Sequence, residues 1–180
     1  MSLPLVVAIT GASGVIYGIE ILRALKTLEV LTHLIVSEAG VRTLMLETEI
    51  PLAEVKALAD VVHANKDIAA SISSGSFLTR GMIVAPCSIK TLSSITNSYD
   101  ADLVSGAADV TLKERRPLVL MVRETPLHKG HLDLMARAAD YGATILPPMP
   151  AFYHKPETLQ DIIDQGVARA LDQLGVTHAL

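Results

Sequence analysis

Ala8 to Gly18 reads AITGASGVIYG, an apolar lead-in followed by three glycines with hydroxyls at Thr10 and Ser13. Glycines let backbone N–H groups approach an anion, and a helix that starts just after such a turn presents its positive end to it. Ser13 adds a hydroxyl, either as the cap of that helix or as a donor to a phosphate. A second stretch, PCSIKT from Pro86 to Thr91, puts Ser88 and Thr91 at another helix start and reads as a second hydroxyl-rich anion site. A third is Arg123-Glu124-Thr125-Pro126, emerging from the apolar run PLVLMV. An arginine there can fork onto a phosphate or a carbonyl. A glutamate in a partly desolvated site can act as acid or base. On spacing alone, the same pair is also consistent with an ion pair capping the next helix.

The first turn is close to a dinucleotide fingerprint and does not match it. That fingerprint needs G-x-G-x-x-G, whereas this chain has G-x-x-G-x-x-x-G, closer to the T-G-x-x-G-x-x-G turn of extended short-chain dehydrogenases but with Tyr17 in the slot of that turn's last glycine and Gly18 one residue late. Glu38 lies where an acidic partner for a ribose would fall, which is a weak match. Extended short-chain dehydrogenases have a similar turn and use a Tyr-x-x-x-Lys dyad. Here the residues four after Tyr17, Tyr99, Tyr141 and Tyr153 are Ile21, Leu103, Ile145 and Glu157. An NAD-linked reductase is therefore disfavoured.

Other candidates read as structural. Cys87 has no histidine partner identifiable by spacing, so a small buried residue at a strand end is the expectation. Lys113, Arg115 and Arg116 read as a solvated helix end complementing the dipole. His128 and His131 have helical spacing without a third ligand, so a surface position rather than a metal site is expected.

The elements that must carry these groups follow from apolar spacing. Strands are expected at Leu3 to Thr10, Leu31 to Ser37, Gly81 to Pro86, Pro117 to Arg123 and Ala143 to Leu146. Helices are expected at Ser13 to Glu29, Glu38 to Thr48, from Pro51 through PLAEVKALAD, Ser88 to Asn97, Asp100 to Glu114 with an interruption around Gly106, Pro126 to Tyr141 and Pro156 to Leu174. His63 to Phe77 reads as a loop. Repeated strand–helix alternation predicts a mostly parallel sheet with helices on both faces, and ligands at the carboxyl ends of its strands.

Composition narrows the function classes. The 180 residues suit one domain. A net charge of −4 with no basic run, and only two Phe and four Tyr, argue against nucleic-acid binding. Apolar residues make up 50% and the mean hydropathy is +0.42, yet no apolar run is long enough to span a bilayer. Subunit interfaces are the expected home for the excess. MSLPLVVAITG lacks a basic leader and enters a strand directly, so no signal peptide is expected. A single cysteine fits a reducing cytoplasm.

TGASG, SSGSF, PCSIKTL, AADVTLKERRPLVL, RETPL and PPMPAFYHKP run in order from Thr10 to Pro156, with VARAL beyond. Together they resemble the flavin prenyltransferases of the UbiX type, once described as aromatic-acid decarboxylase subunits. The resemblance covers nearly the whole chain. It implies an α/β, flavodoxin-like or Rossmann-like doubly wound fold, with residues 1–180 as a single flavoprotein domain that binds FMN rather than NAD. It implies transfer of a dimethylallyl group from dimethylallyl monophosphate to N5 and C6 of reduced FMN, without a metal. The prenylated FMN would serve a UbiD-type decarboxylase. A cytoplasmic homo-oligomer is implied, a dodecamer with active sites where subunits meet.

Carried over by motif, Gly11, Ala12, Ser13, Ser37, Ser88, Thr91 and Arg123 are expected to contact FMN. Lys113, Tyr153 and Arg169 are expected to hold the dimethylallyl phosphate, with Ser13 close to it and with Tyr153 and Arg169 completing a neighbour's site. Glu47 and Glu124 match acidic positions, and Glu124 is the expected proton shuttle. Two departures stand out. Gly106 replaces an arginine usual before AADV, and the chain ends at Leu180 without a longer tail; either is expected to weaken the phosphate site or the assembly. The alternatives are a non-catalytic FMN-binding relative that stores or delivers flavin, favoured by Gly106, and a flavoprotein similar to phosphopantothenoylcysteine decarboxylases, which would need a reactive partner for Cys87.

Overall fold

The computed structural model describes residues 3–180. Five consecutive apolar residues, Leu5–Ile9, form β1, and all are buried. Side chains alternate across a strand. Leu5, Val7 and Ile9 therefore enter one core layer, while Val6 and Ala8 enter the other. A strand buried on both faces must lie inside a sheet covered by helices on both sides. β1 pairs in parallel with β2 (Thr32–Val36) on one side and with β4 (Gly81–Cys87) on the other. β3 (Val61–Ala64) flanks β2; β5 (Leu118–Val122) and β6 (Thr144–Ile145) follow β4, giving the order β3-β2-β1-β4-β5-β6.

Among the described residues, seven α-helices cover this sheet. α1 (Val15–Thr27) and α7 (Leu159–Gln173) pack together on one face, where Ile19, Leu22 and Leu25 meet Val167 and Leu171. α4 (Ile89–Thr96), α5 (Leu103–Lys113) and α6 (Lys129–Asp140) cover the other, over Met82, Val84 and Leu120. α2 (Glu38–Glu47) and the short α3 (Leu52–Lys56) lie between β2 and β3. The expected doubly wound α/β sheet is present, and β1 and β4 form its switch point.

Three local expectations are corrected. Val61–Ala64 is a strand, where the spacing leaves Val61 and Val62 unassigned and gives His63 onward as loop; it is four residues long, at the sheet edge and half-exposed, so it carries little apolar signal. Without it the order would be that of flavodoxins; with it the order is that of the dinucleotide-binding fold. α5 runs unbroken through Gly106, because a capping box at Asp102 and Ser105 nucleates it and its buried stripe holds it on the sheet. α6 starts at Lys129, not Pro126, with His128 as its cap.

Candidate active site

β1, β4 and β5 end side by side, and the residues that follow them line one cleft of about 750 Å³. That volume suits a flavin-sized ligand. Gly11, Ala12 and Ser13 come from the first turn, Ser88 and Ile89 from the second, Arg123 and Glu124 from the third. Pro147 to Pro150, after β6, close the opposite side.

Thr10 locks the first two turns together. Its buried hydroxyl donates to the Pro86 carbonyl at 2.7 Å and accepts from the Ser88 N–H at 2.9 Å. Ser88 then caps α4: its Oγ accepts from the Thr91 N–H at 3.2 Å and donates to Thr91 Oγ1 at 3.1 Å. The first-turn amides of Ile89 and Lys90 take no partner among the described residues. A helix end left in this way is an anion site.

Arg123 joins the third turn to the first, donating from Nε to the Ser13 carbonyl at 2.9 Å. Among the described residues no carboxylate pairs with it. The expected alternative of an Arg123–Glu124 ion pair is therefore not what the structure forms. Glu124 instead accepts the Thr125 N–H at 3.0 Å through Oε1. An unpaired guanidinium, open amides and hydroxyls in one cleft form a donor set for a phosphate ester.

Ser37 and Thr91 do not line the cleft. Ser37 caps α2, accepting from the Gly40 N–H at 3.0 Å, and Thr91 stands behind Ser88. Glu47 reaches the first turn from the end of α2: its Oε2 accepts from Gly14 and Val15 N–H at 2.8 and 3.2 Å.

Tyr153 and Arg169 border a smaller pocket of about 270 Å³ that shares Pro147, Pro148 and Met149 with the main cleft. They thus stand beside this chain's own cleft. Tyr153 is 95% exposed in the single chain, and Arg169 pairs with Asp172 at 2.9 Å. Lys113 is the residue left remote. It ends α5, five positions before β5 begins, and so lies toward the amino edge of the sheet. A five-residue strand separates the two edges by about 16 Å. Its electrostatic company is Asp100, whose carboxyl is pushed up by burial and by Asp109 and Asp102, with Lys113 opposing.

Sequence reasoning missed three residues that shape this region. Thr10 carries the turn-to-turn lock. Tyr17 is buried, which pushes its phenol up while Arg123 opposes the shift. Arg116, expected in a solvated helix end, instead donates to the Gly75 and Phe77 carbonyls, both at 2.8 Å, and fixes the SSGSF segment. Thr10 and Arg116 sit inside motifs that carried the resemblance, which was the available signal. Cys87 is fully buried and its thiol is pushed up to about 12, so it is the core residue expected. His128 accepts the Gly130 N–H as a helix cap.

A family model described as Flavoprotein matches residues 2–172. The chain is 60% identical over 174 residues to the flavin prenyltransferase UbiX of Escherichia coli K12, covering 96% of this chain and 92% of that protein. The crystal structure of AnUbiX (PadA1) in complex with FMN and dimethylallyl pyrophosphate superposes with a TM-score of 0.96 at 49% identity, over 98% of this chain and 94% of that one. A dodecameric FMN-dependent UbiX-like decarboxylase from Escherichia coli O157:H7 superposes at 0.95 with 50% identity, over 98% and 97%.

Proposed function

The chain belongs to the Flavoprotein family and, within it, to the flavin prenyltransferases of the UbiX type, and from that premise we propose that its carboxyl-edge cleft binds FMN and a dimethylallyl phosphate ester. The protein is a flavin prenyltransferase. Residues 1–180 act as a single flavoprotein domain. The observation that supports the site assignment is the convergence of Gly11, Ala12, Ser13, Ser88 and the unpaired Arg123 on one cleft.

Reduced FMN, as substrate, supplies the nucleophilic N5 and C6. Arg123, Ser88 and the open α4 amides hold its phosphate, with Ser37 and Thr91 fixing the turns behind them. Tyr153 and Arg169 hold the dimethylallyl phosphate at the shared wall. As the allylic C–O bond breaks, the leaving phosphate gains charge, and these donors stabilise it. The Tyr153 ring presents an electron-rich face to the allylic carbon. N5 forms its bond to the allylic carbon as the C–O bond breaks and gives up its proton. The C=C bond then takes up a proton as its tertiary carbon bonds to C6, and C6 loses its own proton. Glu124, one oxygen fixed by the Thr125 N–H, and the released phosphate are the groups that give and accept these protons. No metal enters this scheme.

Lys113 contributes across a subunit boundary, because its own cleft lies at the opposite edge of the sheet. Exposed Met45, Leu46, Met149 and Phe152 give the apolar surface for such assembly, a homo-oligomer of the dodecameric kind. No helix among the described residues is long and apolar enough to cross a membrane; we place the protein in the cytoplasm, delivering its product to a UbiD-type decarboxylase. A purely flavin-storing role drew its support from Gly106, which lies on α5 outside the cleft. The decisive experiment is mass spectrometry of flavin released after anaerobic incubation with reduced FMN and dimethylallyl monophosphate. A dimethylallyl adduct is expected, and recovery of unmodified FMN alone would overturn the reading.

A further inference from the structure

α7 ends at a glycine that turns the chain back on the helix. Gly175 sits at φ +61°; its N–H donates to the Asp172 carbonyl at 3.1 Å, and the Val176 N–H donates to the Leu171 carbonyl at 3.0 Å. This pair of bonds closes the last helical turn and reverses the chain. Leu174 and Val176 are buried in the core layer of α1 and α7, and Arg80 donates from Nη2 to the Gly175 carbonyl. His178 is thereby returned to the side of Asp172, with 10% of its side chain exposed. The Leu180 N–H donates to its Nδ1 at 3.2 Å, so Nε2 carries the hydrogen that goes to Asp172 Oδ1, also at 3.2 Å. Asp172 gives its other oxygen, Oδ2, to Arg169 Nη1 at 2.9 Å.

We infer that Asp172 is a positioning residue for prenyl transfer, held by His178 and in turn holding the Arg169 guanidinium at the wall of the small pocket. The inference rests on the reading that Arg169 binds the dimethylallyl phosphate, and it adds what orients that cation. Arg169 borders the pocket while it is bonded to Asp172, so the two contacts coexist in one conformation. Nε and Nη2 remain to fork onto phosphate oxygens. Asp172 itself lines neither the pocket nor the main cleft. An isolated exposed pair at this spacing contributes little. Here the acid is gripped from its other side by a nearly enclosed imidazole, and its bond is the only one the Arg169 side chain makes among the described residues. A guanidinium ordered beforehand spares the ligand the loss of rotamer freedom on binding. The Asp172 charge opposes the phosphate only from beyond the guanidinium. Both side chains are about half exposed, so water and salt screen that repulsion.

Calorimetric titration of dimethylallyl monophosphate into protein loaded with oxidised FMN, which leaves no turnover, tests this in the parent, Asp172→Ala, Arg169→Ala and the double variant. Asp172→Ala should bind the ester about tenfold more weakly, with FMN affinity unchanged. Its KM for the ester should rise by the same factor at constant kcat, because the lost orientation weakens ground state and transition state alike. In the Arg169→Ala background the same change should have no effect, since Asp172 acts through Arg169. A merely structural role in the last turn of α7 would weaken both backgrounds alike. His178→Phe keeps the bulk and loses the donor to Asp172, so a loss of about threefold is expected. If Asp172→Ala fails to melt cooperatively, His178→Phe carries the test in both backgrounds. Unchanged or tighter ester binding in a folded Asp172→Ala variant, or equal loss in both backgrounds, overturns the inference. An Arg169→Ala variant that binds the ester like the parent overturns the assignment of Arg169 and the inference with it. A parent that binds FMN but not the ester overturns the function reading itself.

Discussion

α1 and α4 both begin at the carboxyl edge of the sheet, next to each other, after strands of the same buried type. Their first turns are satisfied in different ways. α1 is closed by a carboxylate imported from α2, with Arg123 laid across its glycine turn. α4 is closed locally: Ser88 caps one amide and is itself held by Thr10, which leaves the two amides before it open toward ligand chemistry. Both turns are rich in groups that bind anions. What separates a filled helix end from an available one is a residue more than 30 positions away, Glu47, bonded to Gly14 at a separation of 33.

The comparison breaks most visibly at Arg123, the unpaired cation laid across the α1 turn and lining the cleft together with Ser88 and Ile89. Replacing it by alanine removes a guanidinium from the flavin phosphate and the tie to the Ser13 carbonyl. Charged hydrogen bonds contribute about 1.5 to 3 kcal/mol each, so a loss of about 3 kcal/mol, on the order of 150-fold in FMN affinity, is expected. Fluorescence titration measures it. FMN binding close to the parent's would move the phosphate away from α4 and erase the distinction between the two helix ends.

Glu124 tests whether the chemistry belongs with the third strand end rather than with either helix. Glu124→Gln keeps the size and the acceptor for the Thr125 N–H but loses proton transfer. Turnover should fall about 100-fold with FMN affinity unchanged. Single-turnover kinetics beside an FMN titration separate the two effects. A variant forming product at the parent rate would leave Glu124 as a turn-forming residue only.

Ser88→Ala sharpens the comparison from the α4 side. It uncaps α4, leaves the Thr91 N–H and hydroxyl each one partner short and removes a phosphate donor, while the Ser88 N–H stays on Thr10. A destabilisation of about 1 kcal/mol is expected, with FMN affinity about tenfold weaker. Thermal melts with and without FMN read both. If the melt shifts while FMN affinity stays constant, the hydroxyl is a cap and nothing more.

Much of this arrangement could be read from the sequence, for physical reasons. β1, β4 and β5 are continuous apolar runs, so their existence and parallel pairing follow from burial on both faces. Ser13, Ser88 and Arg123 each fall directly after such a run, which fixes their location at one edge. Val61–Ala64 was hidden because an edge strand of four half-exposed residues needs no strong pattern. Glu47's attachment to α1 was hidden because it depends on how α2 packs, which no local spacing encodes. Lys113 and Tyr153 were named by resemblance alone, and their separation across the sheet appears only once the chain is folded. Arg116 shows the reverse error: a charge cluster at a helix end looked solvated, yet its carbonyl partners lie about 40 residues upstream, with Phe77 at a separation of 39.

Gly106 gives the smallest effect and the finest test of the same contrast, because it lies on α5, away from both helix ends. Nothing lies within 4 Å of the position a Cβ would take, so a long side chain fits without moving its neighbours. Glycine inside a helix costs up to about 1 kcal/mol relative to good helix formers such as arginine. Gly106→Arg should therefore raise the melting temperature by roughly 2 to 4 °C for a chain of this size. The new guanidinium would stand one turn from Asp109 and on the same helical stripe as Lys113, two turns on. Asp109 would neutralise part of its charge. Its influence on the dimethylallyl phosphate should therefore be a gain of a few-fold, conveyed through the subunit boundary that Lys113 uses. FMN affinity should not change, since every proposed flavin ligand sits at the other edge of the sheet or behind it. Calorimetric titration of dimethylallyl monophosphate, FMN titration and a thermal melt of the same variant separate these effects. A stabilised variant with unchanged phosphate affinity would make Gly106 a helix position alone. A change in FMN affinity would mean that α5 reaches the flavin, and the separation of α5 from the flavin ligands would have to be abandoned.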